Sequence, residues 1–169
     1  MRNERKPAFE AAYIGLGANL GPARVTVQQA ITWLDALDKT ELVMASPLYR
    51  TRAWGGVAQP DFINAVACVR TALSPIALLH ALWSLEQRAG RVRALRWGPR
   101  SLDLDILLYG QRICTDKVLT IPHPYILQRA FVLVPLMDIA PDLCIPGYGL
   151  VRHALQQIGS EGTERLNTI

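Results

Sequence analysis

The stretch SPIALLHALWSLEQRAGRVRALRWGPRSLDLDILLY, residues Ser74 to Tyr109, holds two unlike patterns on either side of an arginine-rich segment. Ser74-Pro75 reads as a helix start, a hydroxyl cap followed by proline at a position where its missing N–H is not needed. Leu78, Leu79, Leu82 and Leu85 continue at helical spacing, and Gly90 ends the helix. Leu102 to Tyr109 then reads as a strand closed by Gly110. Upstream, the same alternation of types recurs. Ala11 to Leu16 is a strand entering a turn at Gly15-Leu16-Gly17, and Ala23 to Leu37 carries Val27, Ala30, Ile31 and Leu34 at helical spacing. Leu42 to Tyr49 reads as one strand, Arg50 to Pro60 as a loop, and Phe62 to Val69 as a third strand. The order strand, helix, strand, strand, helix, strand predicts an α+β fold with a ferredoxin-like βαββαβ core, an antiparallel-rich sheet with helices on one face. The tail from Pro122 is proline-rich, with short helices expected at Tyr125 to Gln128 and Val151 to Ile158.

With 169 residues, half of them hydrophobic, the chain suits a single domain, 1–169, with a substantial core. Residues 1–7 carry charges with no apolar segment behind them, and no run approaches the roughly 18 apolar residues of a membrane helix. Cys68, Cys114 and Cys144 form no zinc spacing or disulfide framework and sit among apolar neighbours, so buried free thiols are expected. Together these features predict a soluble, cytoplasmic protein with no membrane partner.

Asp103 and Asp105 stand at i and i+2 on the last of these strands, and so face one side, with Leu102, Leu104 and Ile106 turned to the core. Two carboxylates about 5 Å apart repel by ~3 kcal/mol at an effective dielectric near 20, so something positive belongs between them. An arginine pair would serve, and so would one or two Mg²⁺ ions, which favour carboxylate, water and phosphate oxygens. Of fifteen arginines against three lysines, Arg88, Arg91, Arg93, Arg96 and Arg100 fall within thirteen residues just before the pair. Such a loop of like charge becomes favourable beside a polyphosphate. It also predicts a segment that stays open until nucleotide arrives. Carboxylates for metal with arginines for phosphate oxygens suit phosphoryl transfer. The basic balance also admits a nucleic-acid-binding module, and the carboxylates a metal-dependent nucleotidyltransferase or nuclease. The first explains the arginines but not the carboxylates beside them; the second could use the same carboxylates. Asn64 within an apolar strand needs hydrogen-bond partners, and His123 lies in a stiff turn between prolines. Phe62 and Phe131 alternate with apolar neighbours, as core residues also do.

Arg96-Trp97-Gly98-Pro99-Arg100 followed by Asp103-Leu104-Asp105 resembles the signature of the 6-hydroxymethyl-7,8-dihydropterin pyrophosphokinase family of folate synthesis. The likeness covers roughly residues 11 to 143. It includes the segments Tyr13 to Leu20, Tyr49 to Thr51, Gln59 to Ala65, Glu86, Gly90 to Arg93, Ile121 to Pro124 and Arg129 to Leu136. The resemblance implies transfer of pyrophosphate from ATP to a pterin alcohol, giving AMP and the pterin diphosphate, with two Mg²⁺ on Asp103 and Asp105. It implies ATP contacts from Glu86, Arg91, Arg93, Arg96, Trp97, Arg100, Ile106, Thr120, His123 and Arg129, with Arg91 and Arg93 also acting in catalysis. Phe62 and Phe131 would sandwich the pterin, Thr51 and Asn64 would meet its edge, and Trp97 and Asp103 would border it. A monomer with small-molecule substrates and no nucleic-acid partner follows. Ala18, Val118 and Pro124 depart from residues common in the family, which removes a hydroxyl at the first and a basic group at the second.

Overall fold

The computed structural model describes residues 8–53, 58–91 and 99–167. In chain order the elements are β1 (Glu10–Ala18), α1 (Ala23–Asp35), β2 (Thr40–Ala45), β3 (Tyr49–Thr51), β4 (Phe62–Thr71), α2 (Pro75–Arg88) and β5 (Asp103–Tyr109). Then follow the hairpin β6 (Cys114–Thr115) and β7 (Thr120–Ile121), a 3-10 turn (Ile126–Gln128) and α3 (Ala130–Ile139). The chain continues through β8 (Cys144–Ile145), β9 (Gly149–Leu150), α4 (Val151–Ile158) and β10 (Thr163–Arg165). The main sheet runs β10-β3-β4-β1-β5, with β2 also against β4, and its pairings are antiparallel. The expected ferredoxin-like core is there. Among the described residues no helix is long and apolar enough to cross a membrane.

The start of α2 follows its sequence signature: Ser74 Oγ accepts from Ala77 N at 3.2 Å and Pro75 takes the first turn. Its end closes on Gly90 at φ +76°, where the Gly90 and Arg91 N–H groups return to Gln87 and Glu86 oxygens at 2.9 and 3.1 Å. Gly15 and Gly17 do not form a turn. β1 runs straight through them to Ala18. The strand expected over Leu42 to Tyr49 is divided, because Ser46 turns its N–H and Oγ to the Val66 backbone, at 2.8 and 3.0 Å, just before Pro47. β2 and β3 therefore lie end to end along β4.

Helices cover both faces of the sheet, not one. α1 and α2 bury Val27, Leu34, Leu78, Leu82 and Leu85 against Ile14, Leu16, Ala65, Ala67, Leu104 and Ile106. On the other face α3 and α4 bury Val132, Leu133, Leu136 and Val151 against Val66, Leu107 and Leu108. α3 escapes a reading by period because its sequence, AFVLVPLMDI, is nearly all apolar and contains Pro135. Cys68 is buried, but Cys114 is half-buried and Cys144 exposed, since the last two lie on small hairpins outside the sheet.

Candidate active site

The site lies on the α3 face of the sheet. Register aligns Asp103 with Gly17, Gly17 with Asn64 and Asn64 with Tyr49 across four strands. Asp105 lies opposite Gly15, and Thr51 opposite Phe62. Strands sit ~4.8 Å apart, so Asp103 and Asn64 stand roughly 10 Å apart across a floor without a side chain. Gly17 keeps that floor open: a Cβ there would lie 3.0 Å from Asn64 Oδ1. Asn64, 5% exposed, donates from Nδ2 to Thr51 Oγ1 at 2.8 Å. That bond orients the amide.

At the other end of the floor, Asp103 pairs with two of the arginines expected at the phosphates. Arg91 Nη1 lies 3.0 Å from Asp103 Oδ1, and Arg100 Nη1 bonds Asp103 Oδ2. Arg91 also pairs with Glu86, which is 3% exposed and accepts from Leu104 N at 2.8 Å. Burial raises the Glu86 pKa above the ordinary range, opposed by the Leu104 N–H and Arg91. Asp105 is different. Its pKa is raised to about 7, first by burial among surrounding atoms and then by Asp103, with Arg129 opposing. Yet 41% of its side chain remains open to solvent, and His123 Nε2 lies 3.9 Å from its Oδ2. A crowded carboxylate with an open face fits a divalent cation. Among the described residues no three His, Cys, Asp or Glu gather into a cage, so such an ion would draw its other ligands from water and phosphate.

His123 is positioned by its N–H, which donates to Leu107 O at 2.9 Å on the outer side of β5. Burial, with Arg129 adding to it, lowers its pKa to about 4, so it is neutral at pH 7. Arg129 precedes α3 and lies over the Tyr125 and Phe131 rings, 5.2 and 5.6 Å from their centroids. Phe62 on β4 and Phe131 in the first turn of α3 are both half-buried, as is Thr120 on β7. Arg93, Arg96 and Trp97, and with them the expected opening of the arginine segment, lie outside the described residues.

Two expectations change. Arg88 does not join the arginine group: its guanidinium lies 4.5 Å over the Trp33 ring, tying α2 to α1. The Ile106 side chain, 3% exposed, points into the α1–α2 core and away from the carboxylates, so any nucleotide contact must come from its main chain. One residue went unmarked. Asn19, 2% exposed, donates from Nδ2 to Gln59 Oε1 and Pro60 O, each at 3.0 Å, and accepts from Arg100 N at 2.8 Å. Its own N–H donates to Arg100 O at 3.0 Å. The signal was a polar side chain directly after the last small residue of β1, inside the Tyr13 to Leu20 segment.

A family model described as 7,8-dihydro-6-hydroxymethylpterin-pyrophosphokinase (HPPK) matches residues 13–141. The chain belongs to the HPPK family. The HPPK relatives include the 2-amino-4-hydroxy-6-hydroxymethyldihydropteridine pyrophosphokinase of Pseudomonas aeruginosa, 45% identical over 94% of this chain and 98% of that protein. The protein of the same name from Haemophilus influenzae is 43% identical over 92% of this chain and 98% of its own length. Plasmodium falciparum HPPK-DHPS with pteroate superposes with a TM-score of 0.74 at 15% identity, covering 98% of this chain. The chain spans about half, 48%, of that larger HPPK-DHPS polypeptide, and the likeness supports the fold.

Proposed function

We propose that this chain transfers the pyrophosphoryl group of ATP to 6-hydroxymethyl-7,8-dihydropterin, releasing AMP and the pterin diphosphate, a step of folate biosynthesis. The observation that carries the reading is the glycine floor between the Asp103–Asp105 pair and the Asn64–Thr51 pair. A flat ring on that floor would meet an oriented amide with its donors and acceptors, and its hydroxymethyl group would belong on the carboxylate side. Phe62 and Phe131 are the faces for the ring. The pterin oxygen attacks the β-phosphorus, the bond from that phosphorus to the AMP oxygen breaks, and the hydroxyl proton is released.

Two Mg²⁺ held by Asp103 and Asp105 would neutralise phosphate charge and lower the pKa of the attacking hydroxyl. Arg91 and Arg100 balance the charge of Asp103. With a cation on that carboxylate, these guanidinium groups would be available to phosphate oxygens, which their planar forks suit. Glu86 holds Arg91 from behind. His123, neutral at pH 7, offers one N–H to a phosphate, and Arg129 adds charge on the same side. Arg93, Arg96, Trp97, Thr120 and the Ile106 main chain complete the nucleotide contacts in this reading. We read the protein as a cytoplasmic monomer of one domain that binds no nucleic acid.

Phosphorus NMR of ATP, Mg²⁺ and the pterin alcohol with the enzyme tests the proposal. AMP and a pterin diphosphate should appear in equal amounts. Formation of ADP with a pterin monophosphate, or free pyrophosphate with no pterin adduct, would overturn it.

A further inference from the structure

The last strand lies at the end of the sheet opposite the carboxylates, directly beside Thr51. β10 pairs with β3 in the register Thr163 to Thr51, Glu164 to Arg50 and Arg165 to Tyr49. Leu166 N extends the ladder to Leu48 O at 2.8 Å, and Leu166 packs against the α1–α2 core. Around the ladder, Glu164 Oε2 accepts from Arg50 Nη2 and Nε at 2.6 and 3.2 Å, and Arg24 Nη2 donates to Asn167 O at 2.6 Å. Exposed ion pairs of this kind contribute little by themselves. The backbone ladder and Leu166 are what hold the strand.

β3 needs that support. It has three residues, and its other flank meets only Phe62 to Asn64 of β4. Strands so short are marginal with one neighbour. Yet β3 supplies the Thr51 oxygen that orients Asn64, and Tyr49 on the same strand donates to Asp138 of α3 at 2.5 Å. α3 in turn carries Phe131, and β10 packs against α3 as well. The segment therefore braces both the amide and the helix that frame one end of the floor.

We infer that β10 is a positioning strand for the pterin end of the site, acting through β3 on Thr51 and Asn64 and through α3 on Phe131. The inference rests on the assignment of Thr51 and Asn64 to the pterin. The strand order separates β10 from β5 by three strands, so the nucleotide end has no direct contact to lose.

The test compares the full chain with one shortened to end at Gly162, by calorimetry with the pterin alcohol plus a non-hydrolysable ATP analogue, and with the analogue and Mg²⁺ alone. The pterin Kd should rise roughly tenfold, the size of one hydrogen bond to a buried polar group. Affinity for the analogue should stay within about twofold, inside the range of effects expected between sites that share no partner. A synthetic peptide of residues 160–169 should restore pterin affinity to the shortened chain. If the shortened chain does not fold, Leu166→Pro, which removes the N–H that bonds Leu48, and Thr163→Pro supply the comparison. Unchanged pterin binding in a folded variant, or equal losses for both ligands, would overturn the inference. Asn64→Ala in the full chain separates the two ideas. If it leaves pterin affinity intact, the pterin assignment fails. If it weakens pterin binding while loss of β10 does not, only the role of β10 fails.

Discussion

Gly17→Ala adds one methyl to the floor of the site. That methyl would stand 3.0 Å from Asn64 Oδ1, a few tenths of an ångström closer than a comfortable contact. Asn64 has little freedom to yield, because it is 5% exposed and its Nδ2 is committed to Thr51 at 2.8 Å. A turn off its rotamer costs about 0.5–1.5 kcal/mol, and loss of the Thr51 bond costs about 1 kcal/mol. Either way about 1 kcal/mol of pterin affinity should go, a rise in Kd of roughly fivefold. Stability should hardly change. The Gly17 backbone is not in the left-handed region, and alanine there recovers ~0.4–1 kcal/mol through the unfolded chain. Melting should therefore shift by no more than about 2–4 °C, the effect of ~1 kcal/mol on a chain of this size. Calorimetry with the pterin, alongside a nucleotide titration, makes the measurement. An unchanged pterin Kd in a normally melting variant would refute the argument, and so would an equal fall in ATP affinity.

Asp103→Asn and Asp105→Asn should each lower kcat about 100-fold or more; Tm should hold or rise for Asp105→Asn and fall modestly for Asp103→Asn, which gives up its Arg91 and Arg100 pairs, and activity lost only in step with unfolding would contradict the metal role. For pH, His123 sits at about 4 against 6.5 unfolded, so its stabilising contribution is whole above 6.5 and is lost as pH falls toward 4. Asp105 sits at about 7 against 3.8, so its contribution is present below 3.8 and lost as pH rises through 7. The two slopes oppose between about 4 and 6.5, and Asp105→Asn should melt at steadily higher temperature across that window while the parent stays flatter; parallel curves would count against this. Arg88→Ala should cost about 0.5–1 kcal/mol of stability through its Trp33 contact and leave ATP kinetics unchanged, and a raised KM for ATP would return Arg88 to the phosphate group. Phe62→Ala and Phe131→Ala should each weaken pterin binding by ~1–3 kcal/mol, judged from stacking of bases on aromatics, with ATP binding intact by the same titration.

The parts of the fold legible in sequence were those with a clear period and a marked end. Ser74-Pro75 and Gly90 bracket α2, and the i, i+2 spacing of Asp103 and Asp105 put both carboxylates on one face. α3 was not legible, because a helix apolar on all sides has no period to read. It is also what covers the second face of the sheet. Ser46-Pro47 hid the division of β2 from β3, since the bonds that divide them go to Val66, twenty residues away. In the site, Asn64 stood out because a buried amide demands partners. Arg88 looked like its neighbours in sequence, yet the last turn of α2 aims it at Trp33. β10 has three residues and no apolar alternation, so only its partner strand defines it.

The Asn19 side chain has a bearing on how the protein can diverge. It closes on Pro60 from one chain segment and on Arg100 from another, within a single buried amide. Residues between Thr51 and Gln59, or between Arg91 and Arg100, can be exchanged or lengthened only if both feet land where they do now. A loop graft that keeps Gln59-Pro60 and Arg100 in place retains the clasp, whatever its interior length. One that shifts either foot by a single residue leaves a buried donor or acceptor unmet, at about 1–3 kcal/mol. Tolerance to insertion should therefore fall abruptly at those three residues and be high a few positions away.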